Sequence, residues 1–79
     1  MKRKEVNNIT DVDQLKKVIN EKGVKTTWLC ESAPISYYNF RRSMQKTRAF
    51  TVVEAYGISK ALGLNARERD EIFFADQVQ

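Results

Sequence analysis

The sequence predicts an all-α fold of five short helices, and three observations carry the prediction. Apolar residues recur at helical spacing along most of the chain. Capping residues with Glu or Gln three positions later precede the apolar runs at Asp11, Thr51 and Asn65. No stretch alternates apolar with polar residues as a half-buried strand does. At 79 residues the chain is one small domain, near the size where a single core is only marginally sufficient.

Residues 1–10 have no apolar periodicity and read as a flexible basic arm. The first helix spans residues 11–22, with Val12, Leu15, Val18 and Ile19 on one face. Asp11 and Gln14 resemble a capping box, and Gly23 supplies a left-handed stop. The second helix spans residues 26–33. Thr26 or Thr27 caps it, and Leu29, Cys30 and Ala33 form its buried face. Pro34 ends it, because proline disfavours helical geometry in the residue before it.

Ser36 caps the third helix, which runs to about residue 45. Phe40 and Met44 share its inner side, while Tyr37, Tyr38, Arg41, Arg42 and Gln45 lie opposite. The Thr51–Glu54 capping box opens the fourth helix, whose inward residues are expected to be Val52, Val53, Tyr56, Ile58, Ala61 and Leu62, with Gly63 as its end. Gly57 lies inside that helix at a cost of roughly 1 kcal/mol against Ala, which suggests a close helix–helix approach. Asn65 and Glu68 open the fifth helix, with Ile72, Phe73 and Phe74 at its apolar end.

Composition excludes several function classes. The chain has no His and one Cys, so a disulfide framework within the monomer, a Cys/His zinc site and His-based acid–base catalysis are all absent. No paired carboxylates, nucleophile–base set or phosphate loop is present, so no catalysis and no cofactor are expected. No apolar run is long enough to span a membrane, and no apolar region follows the basic start as in a signal peptide. A reducing cytosol fits the absence of disulfides.

The net charge of +4 is uneven. Residues 1–50 hold eleven Lys/Arg against five acids, whereas residues 51–79 hold three against five. No acid occurs between Glu31 and Glu54, and Arg41, Arg42, Lys46 and Arg48 all fall in that gap. A helix bearing Tyr, Asn and Arg and stripped of carboxylates suits a polyanion with readable edges, which points to duplex DNA.

A family resemblance joins this pattern. The run Leu29-Cys30-Glu31-Ser32-Ala33-Pro34-Ile35-Ser36 is similar to the "Leu, small, x, x, Ala, Gly, Ile/Val, Ser" signature of phage repressor and Cro-type helix-turn-helix domains. Cys30 takes the small buried position, and Ala33 and Ile35 match. Phe50-Thr51 with Glu54, then Leu62-Gly63-Leu64 and Glu71-Ile72-Phe73-Phe74-Ala75, resemble a subgroup of small Cro-like regulators from prophages of Gram-positive bacteria. The resemblance covers residues 11–79 and implies a five-helix lambda-repressor-like domain in a bacterial cytosol. Pro34 departs from it, because it stands where the signature has glycine and fixes φ near −65°. Either Ser32 or Ala33 takes the strain, or the turn opens by one residue.

The resemblance implies roles for individual residues. Tyr37 and Tyr38 follow the capping Ser and reach base edges, with ordinary surface tyrosines as the plainer alternative. Arg42 shares the side of Tyr38 and is expected on guanine or phosphate; Arg41 is expected on phosphate. Lys46 and Arg48 lie in the loop where such domains grip the backbone. Thr26 and Thr27 open the second helix and are either phosphate contacts or caps alone. Asn39 sits at the edge of the exposed face or bonds back to the turn. Trp28 packs across the first helix or the loop after the third, with an edge exposed, or else touches a sugar–phosphate strand, and Cys30 is structural. Lys2, Arg3 and Lys4 enter a minor groove or stay disordered without DNA.

One such domain reads only a few base pairs, too little for selectivity in a genome. A homodimer doubles the readout on operator DNA and sets two recognition helices about 34 Å apart. Its surface is expected in the less charged region of the fourth and fifth helices, with Phe73 and Phe74. The alternative is an antirepressor or antitoxin-like module that keeps the fold but binds another protein.

Overall fold

The computed structural model describes residues 10–74, which form five helices and no strand. They are α1 (Val12–Lys22), α2 (Thr26–Ser32), α3 (Tyr37–Met44), α4 (Val52–Leu62) and α5 (Ala66–Phe73). Lys2, Arg3 and Lys4 lie outside the described residues. Thr10 is buried and belongs to the folded part, not to the arm.

Local sequence sets most of the boundaries. Asp11 Oδ1 accepts from Gln14 N at 3.0 Å, and Ser36 Oγ accepts from Asn39 N at the same distance. Thr51 and Asn65 each form full reciprocal capping boxes with Glu54 and Glu68. Gly23 and Gly63 end α1 and α4 in the left-handed conformation, at φ 68° and 71°. The start of α2 differs from expectation. Lys25 is its N-cap and makes no side-chain capping bond, so neither Thr26 nor Thr27 caps it.

The core is one cluster drawn from all five helices and the turn after α2. Leu15, Leu29, Ala33, Ile58 and Phe73 are at most 2% exposed. Phe50, in the loop before α4, meets Phe40 and Phe73 edge-on, at ring separations of 6.0 and 5.5 Å. Asp11 N donates to Ile72 O at 2.7 Å, tying the start of α1 to the end of α5.

The inward face of α4 differs from the one expected. Ala55, Ile58, Ser59 and Leu62 are buried, whereas Val52, Val53 and Tyr56 point outward. The segment is apolar around most of its circumference, so its periodicity cannot choose a face. Close packing chooses it: a Cβ at Gly57 would stand 3.0 Å from Ala33 O, so α4 lies directly against the end of α2. Such an approach favours small residues on the contact side.

The turn between α2 and α3 accommodates Pro34 without left-handed geometry. Ala33 sits at φ −98° and ψ 19°, and Ile35 N donates to Cys30 O at 3.1 Å. Neither Ser32 nor Ala33 takes a positive φ, since Lys46 is the only non-glycine residue with one among the described residues.

Candidate nucleic-acid interface

The Ser36 cap fixes where α3 begins, and the burial of Phe40 and Ser43 fixes which side faces the core. The opposite side therefore presents the pairs expected from the sequence. Tyr37 is 48% and Tyr38 70% exposed, while Arg41 is exposed and Arg42 half-buried. Each Arg lies one helical turn after a Tyr, and its guanidinium carbon is 5.8 Å (Arg41 to Tyr37) or 5.6 Å (Arg42 to Tyr38) from the ring centre. Stacking on a ring narrows the rotamers of a long side chain while leaving its donors open. No acid lies in α3.

The loop after α3 is firmly built. Lys46 N donates to Ser43 O and Thr47 N to Arg42 O, which together close the helix end as a Schellman motif. Thr47 Oγ1 also donates to Arg42 O at 3.0 Å. Lys46 occupies the position that favours glycine, at φ 66°. Its side chain is exposed.

Arg48 departs from the role implied for it. Its guanidinium turns inward and meets Glu54 through Nη1 and Nη2 at 2.9 and 2.8 Å, with a further bond from Nη1 to Ser43 Oγ. Burial pushes the Glu54 carboxyl up, but hydrogen bonds from Arg48 and the Thr51 backbone outweigh it and hold the group below its ordinary value. The hydrogen bond to Glu54 raises the pKa of Arg48. Arg48 thus braces the loop and is not an outward phosphate contact. Nothing in the sequence signalled this pair, because six residues separate the partners across a loop.

Thr27 is exposed and Thr26 half-buried at the start of α2. Asn39 is half-buried, and its backbone N–H is taken by the Ser36 cap. Trp28 is 45% exposed. Cys30 is buried, which pushes its thiol pKa up and leaves it unreactive.

The expected dimer residues separate. Phe73 is 2% exposed and belongs to the core, so it has no surface to offer a second copy. Phe74 is half-buried and meets the Tyr56 ring edge-on at 6.5 Å. Val52, Val53 and Tyr56, which the sequence reading placed inward, form the exposed apolar face instead. Arg69 lies over the Tyr56 ring at 4.6 Å. Among the described residues no cluster of His, Cys, Asp or Glu suits a metal, and no helix is long and apolar enough to cross a membrane. No family model, no curated protein and no solved structure matches the chain.

Proposed function

We propose that this chain is a sequence-specific DNA-binding transcriptional regulator of the Cro type, without catalytic activity, acting in a bacterial cytosol. The observation that carries the reading is the acid-free outer face of α3, where Tyr37, Tyr38, Arg41 and Arg42 project together. The helices α2 and α3, joined by a short turn and backed by α4, support a lambda-repressor-like arrangement. In it α3 enters the major groove, with Tyr37, Tyr38 and Arg42 at base edges. Arg41, Lys46 and the Thr26–Thr27 region meet phosphates. Phosphate contacts supply most of the affinity, and base contacts select the site.

The protein binds its operator as a homodimer. The exposed face of Val52, Val53 and Tyr56, with Phe74 at its edge, is the surface for the second copy. Three such side chains fall well short of the roughly 800 Å² per partner of a standard interface. The dimer is therefore weak alone and is reinforced by the duplex. The same face also favours a second reading, an antirepressor or antitoxin-like module that binds a different protein.

Selection of bound duplexes from a random pool tests the main reading. A two-fold symmetric motif is expected. Arg42→Ala should then relax preference at one position per half-site, by about 1–3 kcal/mol for a bidentate contact to guanine. Equal loss on specific and random DNA would make Arg42 a phosphate clamp. No enrichment, with stable capture of a protein partner, would favour the second reading.

A further inference from the structure

A groove of about 680 Å³ opens between α1, the start of α2 and α3. Ile19, Val24, Phe40 and Met44 contribute its apolar part, and all but Phe40 remain half-exposed. Lys16 and Arg41 are its only charged lining residues, and both are exposed. Neither has an ion-pair partner among the described residues. The groove is thus a trough whose apolar strip is flanked by polar side chains, Asn20, Thr26 and Gln45 among them, with positive charge at its rim that no described residue neutralises.

We propose that this groove docks an acidic amphipathic helix of a regulatory protein, and that docking excludes DNA. The exclusion rests on the DNA-binding reading above; the docking does not. Charge and polarity together select the occupant. A sugar–phosphate strand would answer Lys16 and Arg41 but leave the apolar trough facing water. A neutral apolar helix would fill the trough but leave the two exposed rim cations without a partner. A helix with apolar anchors at i, i+3 or i+4 and i+7, flanked by Asp or Glu, satisfies both demands. Arg41 and Tyr37 line the groove and also stand on the outer face of α3. Thr26, proposed above for phosphate, lines it too, so an occupied groove withdraws three residues from the DNA face, and the two ligands compete.

The test uses the full 79-residue chain as bait for a displayed library of helical peptides. Enriched peptides should carry the apolar spacing with adjacent acids, and the best of them, as a synthetic peptide, should shift the methyl resonances of Ile19, Val24 and Met44. It should displace a duplex bound by the chain. Lys16→Ala should weaken the peptide roughly three- to fivefold, the scale of an exposed ion pair, and leave duplex affinity unchanged. No enrichment, enrichment of neutral or basic peptides, methyl shifts away from the groove, or simultaneous binding of peptide and duplex would overturn the proposal. Loss of duplex affinity in Lys16→Ala would instead make the groove a seat for the sugar–phosphate strand. A chain that binds the acidic peptide in the groove but no duplex would sink the DNA reading while supporting the docking.

Discussion

Arg48 and Glu54 form a two-bonded ion pair, at 2.9 and 2.8 Å, that ties the loop after α3 to the first turn of α4. Their side chains are 20% and 13% exposed. Glu54 Oε1 also accepts from Thr51 N, so one carboxylate both caps α4 and holds the loop.

This pair makes part of the stability pH-dependent. The folded carboxyl of Glu54 lies below its ordinary value, so its contribution is present above the unfolded pKa and is lost as pH falls through the folded one. The loss therefore begins near the ordinary Glu value of about 4.3 and continues downward. Glu54→Gln keeps a capping oxygen but removes the charge. Urea denaturation at neutral pH should show a loss of roughly 1–3 kcal/mol, discounted for partial exposure, with a flatter acid limb than wild type. An unchanged acid limb would show that other carboxylates dominate.

Lys46 should show opposite effects on stability and binding. A non-glycine residue in the left-handed region costs roughly 1–2 kcal/mol, so Lys46→Gly should stabilise the fold by about that amount. The same change should weaken DNA binding evenly across sequences and reduce the salt slope by about one. Arg48→Ala should do the reverse, losing stability with the salt slope unchanged. A salt slope insensitive to Lys46→Gly would remove Lys46 from the interface.

Gly57→Ala should destabilise despite its better helix propensity. Propensity alone predicts a gain of roughly 1 kcal/mol. The new Cβ would meet Ala33 O at 3.0 Å and Ala33 Cα at 3.3 Å, both backbone atoms with little room to yield. A net loss of about 1–3 kcal/mol is expected from overpacking. Thermal denaturation decides it, and a raised Tm would mean that α2 and α4 can separate cheaply.

Val53 is 74% exposed at the centre of the proposed pairing face. Val53→Glu should leave circular dichroism and Tm close to wild type. Sedimentation should show less self-association, and operator affinity should fall more than random-DNA affinity. A folded variant with wild-type association and operator binding would move the dimer surface elsewhere.

The sequence by itself determined the helices and most of their ends, the uncapped start of α2 excepted, because these depend on contacts within a few residues. Asp11, Ser36, Thr51 and Asn65 cap where their side chains reach the backbone three positions on, and Gly23 and Gly63 stop where a left-handed residue is needed. The outer face of α3 was legible for the same reason, since Phe40 set one side and the tyrosines and arginines the other. Tertiary structure decided what depends on a neighbour distant along the chain. Val52, Val53 and Tyr56 turned outward because α2 packs against α4 at Gly57, and an all-round apolar segment contains no record of that choice. Arg48 turned inward because the loop folds back to bring Glu54 within reach, which exchanges an outward cation for an internal brace. Phe73 was taken into the core and Phe74 left at its edge, since only the docking of α5 distinguishes two adjacent aromatic rings.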